Sequence, residues 1–253
     1  MTKYQIPTTL HPCKTSIQKN NIKIILLIIL CASIILYIGV QILSFFISQN
    51  NLLTPTQNYY LICTPNTNPD NTIQQQTQNI KMRGGAGNII NINNENIIAL
   101  HAYLTNEKAQ EISKNLNEQG ISTQIYKLST KKYNLNNYTT NEQQNILSNI
   151  NFIFDILTNL YNIITQFDSI NITENKLYTH IHKLKISCEL ELHSLTTITN
   201  FETNPIYLQM LEITSIIESL CNRDFNGYNI TSIGSEFKYT FVQILLTICN
   251  PIL

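Results

Sequence analysis

Hydrophobic and polar positions change their rhythm three times along this chain. From Ile24 to Ile47 the sequence reads IILLIILCASIILYIGVQILSFFI, without a single charged side chain. As an α-helix this run extends about 36 Å, enough to cross a hydrocarbon core of about 30 Å with some tilt. Its backbone hydrogen bonds are then all satisfied internally, as lipid requires. A cleavable signal peptide has a shorter apolar run, roughly 7 to 15 residues, and ends in small residues. This one ends in Ser44-Phe45-Phe46-Ile47-Ser48-Gln49. Residues 24–48 are therefore read as a retained transmembrane helix, 1–23 as a tail, and 49–58 (QNNLLTPTQN) as a polar linker.

The second rhythm is mixed. Tyr59 to Cys63 is a compact β-prone run, closed by the turn-forming TPNTNPDN. Asp70 is placed to cap a short helix reaching about Gln78, and Arg83-Gly84-Gly85-Ala86-Gly87 then breaks the chain. Two β-prone runs follow, Ile89 to Ile92 and Ile97 to Tyr103, joined by Asn93-Asn94-Glu95-Asn96. Thr105 is an N-cap candidate for the next helix. Ala109, Ile112 and Leu116 share one face of it, and Gly120 stands where a left-handed C-cap belongs. A last strand is expected over Ile121 to Leu128. The order β-α-β-β-α-β predicts both helices on one face of a four-stranded antiparallel sheet. The other face is expected to stay open and to be where something binds.

The third rhythm, from about residue 141, is helical. Ile146, Ile150, Ile153, Leu157, Leu160 and Ile164 recur at intervals of three and four, as do Ile181, Leu184, Cys188 and Leu195. Further apolar segments run from Ile206 to Cys221 and from Phe237 to Ile248, predicting a four-helix bundle. The stretch THIHKLKI also alternates like a strand, leaving the second helix open. The expected fold class is α+β: a transmembrane helix, a βαββαβ (ferredoxin-like) domain over 59–130 and an all-α domain over 141–253.

Charge sets the topology. Lys3, Lys14, Lys19 and Lys23 precede the apolar run with no acid among them, and the next charge after it is Asp70. Positive residues are retained on the cytoplasmic side, so the expected localisation is the cell membrane, N-terminus inside and the C-terminal part outside. Isoleucine and asparagine together supply almost a third of the residues, a bias that A/T-rich codons explain. Sixteen basic and sixteen acidic side chains cancel. Zero net charge gives no general reason to seek nucleic acid, because phosphate binding needs clustered cations, and no nucleic-acid partner is expected.

Candidate chemistry is sparse. Arg83-Gly84-Gly85-Ala86-Gly87 lacks the Gly-Lys-Ser/Thr ending of a phosphate loop and is read as a tight turn. His180, His182 and His193 have no carboxylate or cysteine pattern to complete a metal site. Lys127, Lys131 and Lys132 form a small basic cluster in an expected linker, and the sequons at Asn137, Asn171 and Asn229 are what chance supplies in such a chain. Cys63, Cys188, Cys221 and Cys249 would lie outside, either as two disulfides or as buried free thiols. No Ser/His/Asp, Cys/His or paired-carboxylate spacing emerges. No catalytic, cofactor-binding or metal-binding residue is assigned, no cofactor is expected, and ligand-facing residues of the sheet stay unassigned.

One segment carries a family likeness. Ile98 to Leu128, IALHAYLTNEKAQEISKNLNEQGISTQIYKL, resembles half of a sporulation-related (SPOR) domain. His101-Ala102-Tyr103 stands at that family's small-small-aromatic turn, Ala109 at its buried helical position and Gly120 before its last strand. The Arg83–Gly87 segment also looks like a feature of such proteins from Gram-positive spore-forming lineages. Ala99 and His101-Ala102 replace the polar Gln and the Gly-Ser of the pattern. The resemblance implies a non-enzymatic envelope protein that binds septal peptidoglycan glycan strands, or a partner in division or sporulation, across the open sheet face. The alternative is a structural membrane protein that acts through its C-terminal helices.

Overall fold

Residues 52–65, 72–92 and 94–250 are described by the computed structural model. The expected transmembrane helix over Ile24–Ile47 lies outside them. Among the described residues no helix is long and apolar enough to cross a membrane.

Four strands form one antiparallel sheet: β1 (Asn58–Pro65), β2 (Asn88–Ile92), β3 (Glu95–Tyr103) and β4 (Gln124–Ser129), in spatial order β2-β3-β1-β4. The chain is α+β, with helices α1 (Ile73–Met82) and α2 (Asn106–Glu118) interleaved as the pattern predicted. Local chemistry sets the helix starts. Thr72 closes a capping box with Gln75, and Thr105 accepts from the Lys108 amide. The last strand starts three residues later than expected. Asn117 Oδ1 accepts from the Thr123 amide, and Ser113 and Thr123 hydroxyls are 2.7 Å apart, so 121–123 bonds to the end of α2 instead of the sheet.

Beyond β4 the described residues fold chiefly into α3 (Thr140–Asp168), α4 (Glu174–Ser194), α5 (Pro205–Cys221) and α6 (Ile230–Ile248). The ambiguous THIHKLKI segment lies within α4, because Leu177, Ile181 and Cys188 bury a helical stripe, not a strand face. The four helices neighbour one another in a ring, α3-α4-α5-α6.

The sheet face expected to be open is covered. Tyr59, Leu61 and Cys63 of β1 and Ile97 and Ala99 of β3 are at most 4% exposed and share one apolar core with Phe237, Phe241, Val242 and Ile244 of α6. The cause lies in α6 itself. It is too apolar to be covered by the bundle alone and buries a second stripe against β2 and β3. Each Ile or Phe so buried stabilises by about 1.5–3 kcal/mol relative to exposure. Residues from Leu53 onward consequently form one compact unit.

Hydrogen bonds pin both ends of α6. Near its start, Ser235 Oγ donates to the Gly85 carbonyl and Lys238 Nζ to that of Gly84. At its end, the Lys131 amide donates to Ile248 O and the Asn250 amide to Ser129 O. Leu53–Gln57, expected as linker, is bonded to 130–134: the Thr54 amide donates to Tyr133 O, and the Gln57 amide to Thr130 Oγ1.

Candidate functional site

The Arg83–Gly87 segment is a turn, and its glycines are there for space. A Cβ on Gly85 would lie 2.5 Å from Ile80 Cγ2, and one on Gly87, whose φ is +75°, would lie 2.8 Å from Lys81 Cγ. The Ala86 and Gly87 amides donate to Leu100 O and Ala99 O, which continues the β2–β3 pairing beyond the strand. Carbonyls of the turn, not its amides, face α6. That arrangement receives donors such as Ser235 and Lys238, so the backbone of the segment docks a helix.

Opposite this turn, β3 is irregular. Ile62 pairs with His101 and Cys63 with Ala99, leaving Leu100 as a bulge. A bulge re-aims neighbouring side chains. His101 is 9% exposed and lies among the rings of Tyr103, Tyr161 and Phe241, at centroid distances of 4.9, 6.1 and 5.9 Å. Burial, with Lys238 nearby, pushes its pKa down to about 3 and holds the imidazole neutral. Its Nδ1 has no hydrogen-bond partner.

Helix α1 buries no residue of its own and packs chiefly on α6, standing apart from α2. The gap is a cleft of about 440 Å³, within the usual range of ligand sites. Its walls are apolar where Ile80, Leu100, Ile112 and Leu116 meet, and His101, Arg83, Lys238 and Asp168 supply polar groups. Lys238 bonds Asp168 Oδ2 at 2.8 Å and Gly84 O at 2.9 Å. Arg83 is exposed, and its guanidinium has no ion-pair partner among the described residues. A larger hollow of about 530 Å³ beside Gln110, Ser113, Lys114, Asn117 and Glu118 is a shallow surface depression with Ile125 as its apolar member.

The other residues singled out in the sequence stay apart. His180, His182 and His193 are exposed on α4, and among the described residues no three His, Cys, Asp or Glu side chains are grouped to hold a metal. Lys131 reaches Thr247 O. Asn229 caps α6 by accepting from the Ser232 amide. Cys63, Cys188, Cys221 and Cys249 are free thiols, and burial pushes Cys63, Cys188 and Cys249 up to about 12. Sequence reasoning placed His101 and Arg83 only in turns and passed over Asp168 and Lys238. The signal for the first was a titratable side chain inside the otherwise apolar strand IALHAY; the last two lie too far apart in sequence for any spacing rule.

Comparison with protein-family models, with curated proteins and with solved structures gives no match.

Proposed function

We propose that this chain is a single-pass membrane protein of the cell envelope, N-terminus cytoplasmic, whose unit from Leu53 onward lies outside and acts by binding rather than by catalysis. The observation that carries the reading is the charge-free run Ile24–Ile47 with lysines, and no acid, ahead of it. Its partners in this reading are the lipid bilayer and a ligand or protein met during division or sporulation. Glycan recognition through the sheet, as a SPOR domain would use, needs the face that α6 occupies. The reading therefore places recognition at the cleft between α1 and α2.

Protease added to intact spheroplasts tests the topology. Digestion of the region beyond residue 50 with the N-terminal tail protected is the expected result; recovery in the soluble fraction, or full protection, overturns it. Enrichment on amidase-treated over untreated sacculi would return recognition to the sheet.

A second reading, self-association through the helical layer, is favoured by Ile186 and Leu190, one turn apart on α4 and 57% and 67% exposed. A monomer in analytical ultracentrifugation of the detergent-solubilised chain excludes it.

A further inference from the structure

The cleft combines features that converge on one kind of ligand. Its floor is apolar, contributed by Leu100 of the bulge, by Ile80 of α1 and by Ile112 and Leu116 of α2. Its polar groups sit where β3 and the glycine turn approach α6. Two cations and one carboxylate lie there, Arg83, Lys238 and Asp168. Lys238 and Asp168 neutralise each other at 2.8 Å, which leaves the Arg83 charge uncompensated among the described residues. Beside them His101, nine-tenths buried, closes the wall of the cleft.

We infer that the cleft binds a small organic carboxylate with an apolar body. The body lies against Leu100, Ile112 and Leu116. The carboxylate meets the Arg83 guanidinium, whose planar fork matches two carboxylate oxygens. A cationic ligand is disfavoured because it would face Arg83 and Lys238 with only Asp168, already paired, to offset them. A fully polar ligand would leave the apolar floor unused.

The inference rests on placing recognition at the cleft, but its test does not depend on membrane topology. The full chain in nanodiscs is titrated calorimetrically with phenylbutyrate, and in parallel with phenylbutyramide, with empty nanodiscs as the blank. The acid is expected to bind about tenfold or more tightly than the amide. Arg83→Gln, an exposed substitution outside the core, should bring the acid down to the level of the amide. Leu116→Trp, which fills the floor, should remove both. Equal binding of acid and amide by the wild type overturns the assignment, as does an unchanged acid affinity in Arg83→Gln. No saturable heat for either compound up to about 10 mM overturns it equally. A correct topology in the spheroplast assay together with any of these results would remove the ligand and leave the membrane reading standing.

Discussion

Gly87→Ala, set against Gly120→Ala, measures how tightly the glycine turn holds α6. Both residues have left-handed backbones, at φ +75° and +83°. A Cβ in that region costs about 1–2 kcal/mol, offset by about 0.4–1 kcal/mol from a stiffer unfolded chain. At Gly120 nothing lies within 4 Å of the new atom, so the net loss there should be about 1 kcal/mol or less. At Gly87 the same atom would sit 2.8 Å from Lys81 Cγ and 3.2 Å from Thr77 Cγ2. Lys81 must then move, drawing its ammonium away from Glu236 at 3.2 Å and from the Tyr239 ring at 4.0 Å. Glu236 is 8% exposed and keeps Arg223 as a partner, so this further loss is about 1–3 kcal/mol. Gly87→Ala should therefore be less stable than Gly120→Ala by that amount in urea titrations followed by tyrosine fluorescence. Repeating Gly87→Ala in a Lys81→Met background should shrink its cost to that of Gly120→Ala. Equal costs for the two glycine substitutions in the wild-type background would show that Lys81 yields freely and that the turn is no tight dock.

Three further outcomes follow from the packing. Phe241→Ala should destabilise by about 3–5 kcal/mol and raise hydrogen exchange in β2 and β3; unchanged exchange there would contradict a covered sheet face. Glu142 accepts from the Thr199 amide and then from that of Thr139, and those bonds hold its pKa at about 2 instead of 4.5. Because the folded value is the lower one, its stabilisation is present above about pH 4.5 and is lost as the pH falls toward 2. Melting temperatures of wild type and Glu142→Gln should accordingly differ at neutral pH and converge in acid. In a Cys13→Ser, Cys31→Ser background, maleimide should modify half-buried Cys221 before unfolding and Cys63, Cys188 and Cys249 only after it.

Element order was legible because it rests on local physics. Thr105, the left-handed Asn94 and Gly120 act within a few residues of themselves, and the periodic isoleucines of α3 announce their helix without outside help. The end of α2 misled the boundary of β4 because Asn117 and Ser113 compete with the sheet for the backbone and side chain of Thr123, and residue propensity does not record that competition. The covered sheet face was not legible at all. An open and a covered face both read as apolar alternation in β1 and β3, and the difference lies in a helix more than a hundred residues downstream. Nor was the cleft legible. It needs the bulge at Leu100 to set His101 against Tyr161 and Phe241, and a bulge leaves no periodic trace in an apolar strand.

Covering the sheet also decides where this unit can recognise anything. The chain enters through Leu53–Gln57, which is bonded to 130–134 beside the C-terminal end of α6. The cleft meets α6 at Lys238, about 15 Å further back along the helix from Ile248. Entry and cleft thus use different stretches of one helix held rigid by the sheet beneath it. A ligand seated against Arg83 and His101 touches none of the residues that tie the entry segment down. Substitutions at Arg83 should consequently change binding and leave attachment intact, whereas loss of the Thr54–Tyr133 and Gln57–Thr130 bonds would loosen the entry segment without altering the cleft.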